Sequence, residues 1–200
     1  FAPRLGLVDM PNARKVHVMP VPRVGGIGVV LGAVLTVVVW ASFDRIVLSY
    51  LWGACIILIF GALDDRNSLS PKTKFIGQII AVLPMVLYAG LYVSRFPLLS
   101  NYELPALIGI PFTIFAVTGV INAVNTSAGL DGLAGGEVVI TLFGIAVLTF
   151  AAGGEDLLII AVATMGSLVG FLRYNTQPAR IFMGDAGSQF FGFAAAFLAI

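Results

Sequence analysis

The sequence predicts an all-α fold, a polytopic transmembrane helical bundle with about seven membrane segments. Three observations predict it. Charged residues make up 10% of the 200-residue chain, 11 Lys and Arg against 10 Asp and Glu, where a soluble domain carries roughly 25%. Hydrophobic residues make up 59%, with 23 glycines besides, and so few charges cannot cover that much apolar surface. The charges are also gathered between seven uncharged stretches, most of them close to the ~17–25 residues a helix needs to cross a bilayer. A disordered chain is excluded, because disorder needs low hydrophobicity. A net charge of +1 leaves no basic footprint for nucleic acid.

The segments follow in order. The first apolar stretch, 24–43, comes after a polar loop over 1–23. The second, 46–63, holds the lone Cys55, so no intrachain disulfide can form. The third, 75–94, contains Pro84, a kink that neighbouring membrane helices tolerate. The fourth, 104–130, contains Pro111 and is too long for one span; Asn122 and Asn125 argue for a helix over 104–121 and a polar loop beyond it. The fifth and sixth are 138–154 and 157–172, and the seventh, 186–200, runs to the last residue. With no repeat and no linker, residues 1–200 read as one integral-membrane domain. A chain that begins at Phe1 and stops inside an apolar run is expected to be an internal portion of a longer protein.

Successive spans alternate in direction, so alternate loops share a face. Loops 1–23, 64–74, 122–137 and 173–187 fall on one side; the short turns near 44–45, 95–103 and 155–156 fall on the other. The first set holds nine of the 11 basic residues: Arg4, Arg14, Lys15, Arg23, Arg66, Lys72, Lys74, Arg173 and Arg180. By the positive-inside rule that face is cytoplasmic.

The residues suited to chemistry gather on the same face. Asp64, Asp65, Asp131 and Asp185 are hard oxygen ligands of the kind that hold Mg²⁺ together with substrate phosphates. Adjacent aspartates on a helix point about 100° apart, so Asp64 and Asp65 need not share one task; the pair could equally do no more than end a membrane helix. Arg14, Lys15, Arg23, Lys72 and Lys74 could hold a diphosphate or a lipid phosphate, or serve as anchors to anionic lipid. His17, the one histidine, lies beside Arg14 and Lys15 and could contact phosphate or simply sit at the membrane interface. Glycines around Asp131 and Asp185 permit close backbone approach to a ligand, or close helix packing. Transport is disfavoured, because transporters place ionisable groups near mid-membrane and here the charges lie between the stretches.

Four pieces of sequence occur in order on this face: GLVDMPNARKVHVMPVPRVGG, LDDRNSLSPKTKF, NAVNTSAGLDGLAGG and NTQPARIFMGDAGSQFFGF. Together, from about Gly6 to Gly192, they resemble the polyprenyl-phosphate N-acetylhexosamine-1-phosphate transferases of bacterial envelope synthesis. That resemblance implies an enzyme of the bacterial inner membrane with its active face cytoplasmic. A polyprenyl phosphate would attack the β-phosphorus of a UDP-sugar donor, and UMP would leave. It implies Mg²⁺, or Mn²⁺ in its place, held by Asp185 with Asp64 near the same ion. Asp65 would deprotonate or position the lipid phosphate, through Lys74. Asn125 would arrange metal and diphosphate, Gly129, Leu130 and Asp131 would border the uridine, and Phe182 would stack on uracil. A homodimer is also implied. Pro22-Arg23-Val24-Gly25-Gly26 and Arg14-Lys15-Val16-His17 are similar to the branch that takes UDP-GlcNAc.

Two departures stand out. The family's third motif usually reads Asp-Gly-Leu-Asp-Gly, and this chain has Ala128 at its first position. The family's later cytoplasmic loop carries a histidine-rich motif, and the 200 residues end before the place where it would fall. Ala128 keeps open a second reading, a non-catalytic membrane scaffold or inactive homologue of the family.

Overall fold

The computed structural model describes residues 7–9, 20–95 and 103–200. Each uncharged stretch corresponds to one helix: α1 (Gly25–Trp40), α2 (Arg45–Asn67), α3 (Pro71–Leu87), α4 (Ala106–Ser127), α5 (Leu133–Ala152), α6 (Glu155–Asn175) and α7 (Gly184–Leu198). Ahead of them, β1 (Val8–Asp9) pairs antiparallel with β2 (Val21–Pro22), a small ribbon that the apolar pattern does not announce. Local chemistry sets several ends. The Asp44 carboxylate accepts the Val47 N–H at 2.7 Å and caps α2. Ser70 caps α3, with Pro71 in the first turn where its missing N–H costs nothing. Gly153, at φ +76°, closes α5.

Four helices, α2, α4, α5 and α6, are long and apolar enough to cross a membrane, and the chain is an integral membrane protein. The other three have 16, 17 and 15 residues, so the structure supports four spans by length and composition where about seven are expected. α4 corrects a second expectation. It does not stop near Ile121 but continues to Ser127, with Asn122 and Asn125 on its last turns. Those side chains do not break the helix because partners on other helices take their hydrogen bonds.

α7 is the axis of the bundle. Every residue from Ala186 to Phe197 is buried, as expected of a helix that is apolar nearly all round. It packs against α1, α2 and α4; α3 closes on α2 and α4, and α5 and α6 form a further pair joined to α1. Tyr50 of α2 meets Phe197, Phe193 and Phe190 of α7 at ring-centroid distances of 5.3, 5.9 and 6.4 Å, and its hydroxyl lies 3.1 Å from Thr164 of α6. Near the polar end the α2 and α7 backbones nearly touch at Gly61. A Cβ there would come closer than 3.0 Å to both Cα and N of Ala186. Gly61→Ala is therefore expected to lower the thermal unfolding temperature of the detergent-solubilised protein markedly; an unchanged melting curve would show that α7 can move aside.

Loop parity holds. Ser42 binds Asp156 at one end of the bundle, where Arg45 also lies over the Tyr88 ring. The opposite ends of α2, α3, α4 and α7 converge, and β2 joins them there: Phe182 N–H donates to Pro22 O at 2.8 Å, and Gly25 N–H to Phe182 O at 3.1 Å.

Candidate active site

Asp64 and Asp65 occupy the last turns of α2, 3% and 7% exposed, and they do separate things. Asp64 Oδ1 accepts the Leu69 N–H at 2.8 Å, which folds the chain from α2 towards α3. Its Oδ2 is buried and pairs with the Lys74 ammonium. Asp65 turns the other way. Both its oxygens accept backbone amides at the start of α7, Oδ1 from Asp185 at 2.8 Å and Oδ2 from Ala186 at 3.1 Å. It caps a helix that begins 120 residues later, meeting orphan N–H groups and the positive end of the helix dipole. Gly184, at φ +67°, makes the turn, and a Cβ on it would enter the Asp65 carboxylate.

That capped turn carries Asp185. Its Oδ1 accepts from Asn125 Nδ2 at 2.9 Å and lies 3.8 Å from Lys74 Nζ; Asn125 Oδ1 in turn accepts from Ser188 Oγ at 2.9 Å. Asp185 stands outside the four spanning helices. Burial, and then the neighbouring Asp64 charge, raise its pKa above the ordinary carboxyl value, and the Asn125 hydrogen bond and Lys74 only partly offset them. The Lys74 ammonium thus bridges the Asp64 and Asp185 carboxylates. Two carboxylates converging on one ammonium, Asp64 and Asp185 around Lys74, fit a divalent cation that uses one or two carboxylates plus phosphates and water. Among the described residues no group of three or more acidic, His or Cys side chains is placed to hold a metal.

The structure brings together Asp64, Asp65, Lys74, Asn125 and Asp185, with Arg23 close enough for its charge to act on Asp65 while it pairs with Asp9. Lys74 pairs with Asp64 and not with Asp65. Asp131 does not join the other three carboxylates through any hydrogen bond: its Oδ2 accepts the Ala179 N–H at 3.0 Å, while the neighbouring Gly132 N–H donates to Asn175. It braces the loop that leads to Met183. Gly129 and Leu130 are exposed and Phe182 is half-buried. Lys15 and His17 lie outside the described residues. Ser188, Gln78 and Gln189 were not singled out from sequence; the available signal was polar side chains in apolar helices, one turn from charged residues.

The sequence model of the family described as Glycosyl transferase family 4 matches residues 47–200. The chain is 38% identical over 204 residues to a probable undecaprenyl-phosphate N-acetylglucosaminyl 1-phosphate transferase of Bacillus subtilis, covering 100% of this chain and 56% of that protein. It is 34% identical over 214 residues to a decaprenyl-phosphate N-acetylglucosaminephosphotransferase of Mycobacterium tuberculosis, with 96% and 52% covered. It is 35% identical over 209 residues to a phospho-N-acetylmuramoyl-pentapeptide-transferase of Chlamydia muridarum, with 90% and 60% covered. The chain spans little more than half the length of these curated relatives.

Proposed function

The chain belongs to glycosyl transferase family 4, and from that premise we propose that the full-length protein transfers a sugar 1-phosphate, GlcNAc 1-phosphate first among candidates, from a UDP-sugar to a membrane polyprenyl phosphate. The product begins a cell-envelope glycan. One observation carries the reading: Asp64, Lys74, Asn125 and Asp185, from four separate helix ends, meet at one end of an apolar bundle. A lipid phosphate can lie at that end with its chain among the apolar helices. In this reading all seven apolar stretches are membrane segments, Lys74 and Asp185 stand at the surface, and positive-inside counting makes that surface cytoplasmic.

In the reaction an oxygen of the polyprenyl phosphate bonds to the β-phosphorus of the donor. The bond from that phosphorus to the bridging oxygen breaks, and UMP leaves with the oxygen and its electron pair. Such transfer rests mainly on positioning and on cancelling negative charge. Mg²⁺, or Mn²⁺ in its place, fits Asp64 and Asp185 and would supply charge neutralisation at the diphosphate. Lys74 brings the ammonium nearest those carboxylates and suits the lipid phosphate. Asn125 holds the Asp185 carboxylate in orientation. Gly129, Leu130 and Asp131 border the uridine and Phe182 stacks on uracil, roles that the family resemblance supports; Lys15, His17 and Arg23 meet the phosphates, a role that their charge and polarity in the first polar loop support. A homodimer is part of the same reading. The test is UMP release by purified full-length protein given undecaprenyl phosphate, UDP-GlcNAc and Mg²⁺. No release with any UDP-N-acetylhexosamine would sink it.

Ala128 favours a second reading, an inactive homologue or scaffold. It ends α4 one turn beyond Asn125, half-buried against the apolar core. The transferase reading expects an active parent and an Ala128→Asp variant whose kcat stays within about tenfold, an allowance of about 1.4 kcal/mol. A silent parent that gains UMP release on Ala128→Asp would establish the inactive homologue instead.

A further inference from the structure

Beneath the charged cluster three amides meet inside the bundle. Asn122 Nδ2 donates to Gln78 Oε1 at 2.7 Å, and Gln78 Nε2 donates to Gln189 Oε1 at 3.0 Å, with Asn122 Oδ1 at 3.4 Å. Gln78 and Gln189 are 0% and 2% exposed. The three sit on α3, α4 and α7, one residue from each. Gln78 follows Lys74 by four residues, Gln189 follows Asp185 by four, and Asn122 precedes Asn125 by three. On an α-helix those spacings put each amide on the same face as its site residue and one turn away. So each amide lies one turn deeper than a polar group of the site, on the three helices that carry Lys74, Asn125 and Asp185.

We propose that Gln78, Asn122 and Gln189 are positioning residues: an amide layer that locks the mutual register of α3, α4 and α7 and thereby sets Lys74, Asn125 and Asp185 against one another. Apolar contacts among these helices are non-directional, and a slide of one residue, about 1.5 Å and 100° of turn, exchanges one set of apolar neighbours for another. The amides do not allow that slide. Displacing any one helix strands the buried donor or acceptor of the other two, with no water to replace it. A single buried Asn sets register in coiled coils by the same logic. The inference deepens the proposed transferase reading and rests on it for the catalytic consequence.

The test uses full-length protein freed of its native cysteines, Cys55→Ala among them, and spin-labelled through Lys72→Cys on α3 and Thr126→Cys on α4, both exposed positions. The parent is compared with the Gln78→Leu/Asn122→Leu/Gln189→Leu triple variant, in which no polar partner is left stranded. The layer predicts a melting temperature near that of the parent and a label distance that changes from one narrow population to a broad or double one. Without labels, kcat for UMP release should fall about a hundredfold, the cost of an ångström-scale misplacement, with KM for UDP-GlcNAc nearly unchanged. Single variants, which strand a partner, should melt earlier. An unchanged distance distribution in the triple variant overturns the register lock whatever the activity, and a changed distribution with unchanged kcat overturns its positioning role. A changed distribution in a protein whose parent releases no UMP keeps the lock and removes the transferase reading.

Discussion

Asp185→Asn in the full-length protein is expected to abolish UMP release while making the protein no less stable. The activity loss follows from charge. In the proposed reaction Asp185 is one of two carboxylates that would hold the divalent cation, and metal stabilisation of a phosphoryl transition state is worth several kcal/mol. At about 1.4 kcal/mol per tenfold, that is roughly a hundred- to thousandfold in rate or more. The stability result follows from burial. Asp185 is raised in pKa by desolvation and by Asp64, so the fold favours its neutral form. The stability that form contributes is present below the unfolded carboxyl pKa and is lost as pH rises through the raised folded value. Asparagine mimics the neutral form at every pH and keeps an oxygen for the Asn125 donor. Near neutral pH the variant should melt at or above the parent temperature in metal-free buffer. Asp64→Asn should be as inactive but not stabilised, because it strips Lys74 of the nearer of its two carboxylate partners. Turnover within tenfold of the parent in Asp185→Asn would remove this carboxylate from the metal site.

Seven uncharged stretches foretold seven helices because an apolar segment, with few polar side chains to bond its backbone, satisfies its N–H and C=O groups within itself as a helix. Loop parity followed from the same count, and it brought Asp64, Lys74, Asn125 and Asp185 to one end before any contact was known. What stayed hidden depended on partners distant in sequence. Asn122 and Asn125 read as the start of a loop, yet they continue α4, since Gln78 and Asp185 supply hydrogen bonds from 44 and 60 residues away. The phenylalanines of α7 could not be told from lipid-facing ones, because core and lipid ask for the same apolar side chains; only packing makes α7 the axis. Asp131 shares its end of the bundle with the other aspartates, but nothing in its spacing shows that it is spent on the Ala179 amide. Two adjacent aspartates were bound to point apart. Which of them would face Lys74 depended on how α2 is rotated against α7, and close contact at Gly61 decides that rotation.

That rotation leads to the second large effect, Asp65→Asn. The lipid phosphate needs no base to become a nucleophile, since a phosphate monoester with its second pKa near ~6 is already largely a dianion at neutral pH. Asp65, moreover, has both oxygens engaged by the Asp185 and Ala186 amides. Asparagine would turn one of those oxygens into an NH₂ facing an N–H, donor against donor, and would remove the negative charge from the positive end of α7. Losing a helix cap costs about 0.5–2 kcal/mol, so the melting temperature should fall. The turn that carries Asp185 should loosen, so the Mg²⁺ concentration for half-maximal rate should rise at least tenfold, and high Mg²⁺ should recover part of the activity. A residue that only accepted a proton would behave differently: kcat would drop, while melting temperature and Mg²⁺ requirement would stay where they were. Measuring the three quantities on one variant separates the roles, and a loss of kcat alone would return Asp65 to the position of general base.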